Sequence, residues 1–141
     1  MYKRQDKGSL IRSVLEGVIF SLKDNLQILE GVLGEVDTII ASGGGAQSNL
    51  WLQIQSDIFN KNIVRSEMSE QAALGAAITA AVGCGCYSSI SEAAKTLVKY
   101  SDDVIKPIKA NVPLYQEIYA VYSRLYETNK DSMHMLRKVN F

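Results

Sequence analysis

The spacing of hydrophobic residues changes several times along this chain, and each change marks an element. From Ser9 to about Glu30, apolar side chains fall at Leu10, Val14, Val18, Leu22, Leu26 and Leu29, with Ile11, Leu15 and Ile19 widening the stripe. That spacing predicts a long amphipathic helix. Ser9 is placed to cap it and Gly31 or Gly34 to end it, with Lys23 and Asp24 on the solvated side. The pattern then collapses into a continuous run, Thr38, Ile39, Ile40 and Ala41. This run is β-branched and nearly free of polar groups, as in a strand buried on both faces of a parallel sheet. Three consecutive glycines, Gly43, Gly44 and Gly45, follow. Helical spacing resumes at Leu50, Ile54 and Ile58, with Trp51 and Leu52 beside them and Ser48 or Asn49 as the cap.

Further on, Asn60 to Asn62 reads as a turn and Ile63 to Arg65 as a second short strand. Ser69 is placed to cap the helix EQAALGAAITAAVG, with Glu70 in its first turn, where an acidic group suits the helix dipole. Ala72, Ala73, Gly75, Ala76, Ala77, Ala80 and Ala81 make this a helix for close packing. Ser89 or Ser91 starts another helix, Glu92 to Tyr100, with Ala93, Ala94, Leu97 and Val98 as its apolar positions. SDDVIKPIKANVP, broken by Pro107 and Pro113, reads as irregular or extended. A last helix starts near Leu114. Its Tyr115, Tyr119, Tyr122 and Tyr126 keep a helical spacing and read as a packing face rather than a ligand-stacking one.

The stretch with most chemistry is DTIIASGGGAQSNLWLQIQ, Asp37 to Gln55. A glycine turn at the carboxyl end of a strand, feeding a helix N-terminus, is where α/β proteins commonly bind nucleotides. Glycines admit a ligand close to the main chain because they carry no Cβ. The plainer reading is a sharp turn and nothing more. The stretch lacks the Lys-Ser/Thr pair of a P-loop, and SGGGAQ does not fit GxGxxG, so a nucleotide here is held in another way.

Composition narrows the field. The 141 residues suffice for one core or part of a larger one. Lys plus Arg and Asp plus Glu balance at 15 each, which gives no electrostatic case for nucleic acid or an anionic membrane. No apolar run reaches a membrane span and the polar start is unlike a signal peptide, so the expected location is cytoplasmic. Cys84 and Cys86 sit too close in sequence for an easy disulfide and have only the distant His134 for company, so they read as small packed side chains rather than a metal or redox site. The opening MYKRQ reads as the translated end of a transposon sequencing adapter from a GTG start. Residues 1–5 are therefore expected to be non-native.

Three segments together say more than any one of them. EGVIFSLKDNL, SGGGAQSNLWLQIQSDIFNKNIV and SEQAALGAAITAAVGCGCYSSISEA, in this order and spacing, resemble the C-terminal part of the FGGY family of carbohydrate kinases. The likeness is greater to xylulose kinases than to glycerol kinases and runs from about Leu10 to Tyr126. It implies an α/β fold, the C-terminal portion of an actin-like, ribonuclease H-like ATPase domain, helix-rich with a small parallel sheet. Residues 1–8 would be a leader, 9–130 the ATP-binding portion and 131–141 a polar tail.

The same resemblance implies that the glycine turn and the helix start form an adenosine pocket. Gly44, Gly45 and Ala46 would lie against adenine and ribose, Asn49 would hydrogen-bond the nucleotide, and Gln53 would face the same pocket. ATP would be the phosphoryl donor, with Mg²⁺ held mainly outside this chain. The sugar, D-xylulose by likeness, would be held by an N-terminal domain that also supplies the catalytic base. The main phosphate-binding turns would lie upstream as well. No residue here is expected to be catalytic, the chain by itself is expected to be inert, and the full-length enzyme is expected to be a homodimer. The alternative is a stand-alone, non-catalytic nucleotide-binding or interaction module.

Overall fold

The computed structural model describes residues 6–68 and 70–139. In chain order its elements are α1 (Lys7–Leu33), β1 (Thr38–Ala41), a 3₁₀ turn (Gly44–Gln47), α2 (Asn49–Phe59), β2 (Asn62–Ser66), α3 (Gln71–Gly83), α4 (Ile90–Leu97), β3 (Tyr100–Ile105) and α5 (Val112–Arg137). They divide into two compact units, residues 36–107 and the two chain ends, 1–35 with 108–141. The residues 1–5 suspected of being non-native, and the Ser69 expected to cap a helix, lie outside the described residues.

The unit made by the chain ends contains α1 and α5. Its N-cap is Asp6 rather than Ser9. The Asp6 carboxylate accepts from the Ser9 N–H at 2.7 Å, which holds its pKa below the usual carboxylate range. Gly34 ends the helix. Phe20 is buried and its ring lies 6.2, 5.9 and 5.2 Å from those of Tyr115, Tyr119 and Tyr122. Three of the four spaced tyrosines are therefore packing residues, and Tyr126 is exposed.

Their hydroxyls are tied as well. Tyr115 donates to Glu16 at 2.7 Å and accepts from Arg12 at 2.8 Å. Tyr119 donates to Asp24 at 2.5 Å, and Lys23 Nζ stands 4.6 Å from the Tyr119 ring centre. Lys23 and Asp24 are thus half-buried partners of α5 rather than solvated groups, because the polar side of α1 is the side that α5 covers. The expected tail from residue 131 is helical through Arg137.

Residues 36–107 build a three-stranded sheet in the order β1-β2-β3. β1 and β2 are parallel, with Thr38 opposite Asn62 and Ala41 opposite Arg65, and α2 makes the crossover. The small parallel sheet gains an antiparallel third strand, because Tyr100–Ile105 pairs with β2 through a bulge between Val64 and Ser66. β1 is an edge strand among the described residues. Ile40 is 51% exposed, so the burial on both faces read from its composition is not met in this unit.

The core of this unit is α2 against the sheet: Leu52, Ile54, Ile58 and Ile63 are each at most 1% exposed, each worth roughly 1.5–3 kcal/mol of burial. Asn60, with φ at 55°, ends α2 in the left-handed conformation. Elsewhere in the unit, Leu74 and Ile78 of α3 pack on Ala93 of α4, while most of the small residues of α3 are exposed. Glu70 is the N-cap of α3 rather than a first-turn residue, and its side chain makes no capping bond. α4 begins earlier than its apolar pattern indicates, since Ser89 caps it by accepting from the Glu92 N–H at 3.2 Å.

Candidate functional site

β1 ends at Ala41, and Gly43, at φ 77°, turns the chain into the 3₁₀ turn. Only glycine takes that angle without strain. The turn is closed by Ala46 N–H to Gly43 O at 3.1 Å and Ser48 N–H to Gly45 O at 3.2 Å. Ser48 then begins α2: its Oγ accepts from the Trp51 N–H at 3.3 Å and its carbonyl from the Leu52 N–H at 3.1 Å. Two helix starts therefore follow each other within a few residues. The leading N–H groups of each, Gly44 and Gly45 in one and Asn49 and Leu50 in the other, precede the first in-helix acceptor. They add a positive end to the exposed surface of the turn.

Gly44 and Gly45 are exposed. A Cβ on Gly44 would meet open space, whereas one on Gly45 would stand 3.3 Å from Trp51 Nε1. The Trp51 indole is thus a wall of the turn, a role not assigned to it from the sequence. Ala46 is 4% exposed and its side chain is part of the core. Asn49, exposed, is the first residue of α2 rather than its cap. Its Oδ1 accepts a hydrogen bond from Arg65 Nη2, which leaves the Asn49 amide nitrogen as the group it offers a ligand.

Arg65 carries no motif in the sequence, yet the register places it beside Ala41, at the end of the sheet where the glycine turn begins. Its Nε is buried without a hydrogen-bond partner. Gln53 does not face the turn. Its amide nitrogen donates to Asp57 Oδ1 at 2.9 Å and to the Lys106 carbonyl at 3.0 Å, so it braces α2 against the segment after β3.

The turn presents main chain unscreened by a Cβ at Gly44, the leading N–H groups of two helix starts, one side-chain amide and one indole. Among the described residues, no group of three or more His, Cys, Asp or Glu side chains is gathered to ligate a metal ion, and no helix is long and apolar enough to cross a membrane.

A parallel βαβ unit whose first strand runs into a glycine turn and a helix N-terminus is an α/β arrangement that recurs in nucleotide-binding proteins. The C-terminal domain of the FGGY family of carbohydrate kinases matches residues 1–84. The xylulose kinase of Staphylococcus epidermidis is 39% identical over 124 residues, 88% of this chain and 25% of that protein. The structure of a ligand-bound xylulose kinase from Lactobacillus acidophilus matches at a TM-score of 0.85 and 25% identity, over 96% of this chain and 27% of that one. Plasmodium falciparum glycerol kinase with ADP matches at 0.70 and 26% identity, over 88% of this chain and 25% of that one. The chain belongs to the FGGY family of carbohydrate kinases, with their actin-like ATPase fold. It spans about a quarter of the length of the curated relatives it matches.

Proposed function

We propose that this chain forms the adenosine-binding side of an ATP-dependent sugar kinase, with D-xylulose as the sugar. The observation that carries the reading is the exposed Gly44–Gly45 turn at the end of β1, set against Asn49 at the start of α2. Adenine would lie flat against Gly44 and Gly45, where no Cβ intervenes. The Asn49 amide nitrogen would donate to the nucleoside, and Ala46, whose side chain is buried, would lie against the adenine and ribose through its main chain. The family membership and the xylulose kinase likeness support the choice of reaction and sugar.

In that reaction the γ-phosphoryl group passes from ATP to a sugar hydroxyl. A carboxylate takes the hydroxyl proton, and a divalent cation, Mg²⁺, offsets charge on the phosphates. The part of this chain is to bind and orient the nucleoside so that the phosphates run toward groups supplied by the rest of a kinase. The catalytic base and the main phosphate-binding turns belong, in this reading, to the rest of such a kinase, and the chain alone would be inert. A cytoplasmic location and a homodimeric full-length enzyme go with this reading.

The test is titration of the chain with ADP by calorimetry, alongside Gly44→Val and Asn49→Ala. Saturable binding weakened by both substitutions, with helix content unchanged by circular dichroism, supports the proposal. No binding by the folded chain, or binding indifferent to both changes, rejects it. ATP-dependent phosphorylation of D-xylulose by the chain alone would overturn the claim of inertness.

A further inference from the structure

The segment Gly83-Cys84-Gly85-Cys86 ends α3, and its backbone forms a Schellman cap. The Cys86 N–H bonds the Ala81 carbonyl at 2.9 Å and the Gly85 N–H bonds that of Val82 at 3.0 Å. Gly85 sits at φ 78°, the left-handed position the motif requires. Cys84 is the C-cap residue and Cys86 the second beyond it, so the reversal of the chain at Gly85 folds their side chains back toward each other. Their Sγ atoms are 3.4 Å apart, and both residues are exposed. The expectation of small packed cysteines is therefore corrected: the helix end holds two thiols in contact and open to solvent.

We propose that Cys84 and Cys86 are a dithiol modification site, which low-molecular-weight disulfides oxidise to an intrachain disulfide across Gly85. To form the bond the Sγ atoms must approach from 3.4 Å to the roughly 2 Å of an S–S bond. The chemistry is thiol–disulfide exchange. The Cys84 thiolate attacks one sulfur of the small disulfide and forms a mixed disulfide, and the other sulfur leaves as a thiolate. Cys86 then gives up its proton and attacks the Cys84 sulfur, and the second small thiolate leaves. Two protein thiols are oxidised, one small disulfide is reduced to two thiols, and two protons pass to the departing thiolates. The hydrogen bond with Cys84 pushes the Cys86 thiol pKa up, and the 3.4 Å separation puts whichever thiol has not yet reacted within reach of the mixed disulfide.

The inference is independent of the nucleotide reading, since α3's end shares no residue with the glycine turn. Its test is incubation of the 141-residue chain with oxidised glutathione, followed by alkylation of remaining thiols, intact mass measurement and a non-reducing gel. The chain should lose both alkylatable thiols together, stay monomeric and retain little glutathione. Cys86→Ser should instead keep a glutathione on Cys84. Retention in the unsubstituted chain should be lower by about tenfold or more, because the second thiol acts at the high effective concentration of a tethered group. Serine at an exposed position leaves folding intact, which circular dichroism of the variant checks. Glutathione retained to the same extent in both proteins, cross-linking between chains, or two thiols still open to alkylation each overturns the proposal.

Discussion

The Arg65 guanidinium donates a hydrogen bond to Oδ1 of Asn49, joining the end of the second strand to the first turn of α2. This contact sets which end of the Asn49 amide is presented to a ligand. Truncation by Arg65→Ala frees the amide to rotate and should weaken ADP binding by about fivefold, the effect of losing roughly 1 kcal/mol of hydrogen bonding. In an Asn49→Ala background the same truncation should do almost nothing. Calorimetric titration of both singles and the double variant measures that coupling.

Arg65 also carries a cost. Its Nε is buried without a partner, and such a group is destabilising by about 1–3 kcal/mol. Arg65→Met, which keeps the stem and removes the orphan donor, should leave the thermal midpoint unchanged or raise it while ADP affinity falls. A loss of stability parallel to the loss of affinity would refute the division of roles.

Gly43 and Gly44 are neighbours with opposite sensitivities. At φ 77° and ψ −169° Gly43 takes a conformation that costs a residue with a Cβ about 1–3 kcal/mol, so Gly43→Ala should lower the urea midpoint of the chain. Gly44→Ala puts its methyl into open space and should leave the midpoint alone, while intruding on the surface where a ring would lie. Stability and ADP titrations on the two variants should therefore move in different columns.

Ser48 offers a separate check on the turn. It ends the 3₁₀ turn and caps α2 through Trp51. Ser48→Ala should cost about 1 kcal/mol in chemical denaturation, and Ser48→Asp should recover most of it.

Tyr119 gives the α1–α5 pair a pH limit. Burial, and then the hydrogen bond to Asp24, push its pKa up to about 12 from an ordinary 10.0. The folded state holds the phenol proton more tightly than the unfolded one. The stabilisation is thus complete below pH 10 and lost as pH rises toward 12. Helix content followed across that range should fall less steeply in Tyr119→Phe, which has no proton to lose.

The elements that could be read from the sequence are those whose signal is local. Thr38–Ala41 is a strand with the bounds its composition indicates, because a β-branched run stopped by glycines has few other options. The stripe of α1 fixed that helix in the same way, although its cap moved to Asp6, next to residues suspected of being foreign. The sequence marks β3 only as irregular or extended, because SDDVI neither alternates nor forms an apolar run. Its strand character comes from pairing with β2, residues away in sequence. Gly44, Gly45 and Asn49 carried a motif, and Arg65 carried none: what it does depends on the register that puts it opposite Ala41. Likewise the tyrosines showed their helical face but not their partners, Glu16 and Asp24, which lie on the other helix.

The order of strands has a consequence in time. β1, α2 and β2 are contiguous, but β2 must wait for α3 and α4 to be made before β3 can cover its other side. As the chain leaves the ribosome, β2 therefore spends the synthesis of two helices with one row of main-chain donors and acceptors unclaimed. Such an open edge invites pairing with a neighbouring nascent chain. The antiparallel strand is then less a decoration of the parallel pair than the step that closes its period of risk.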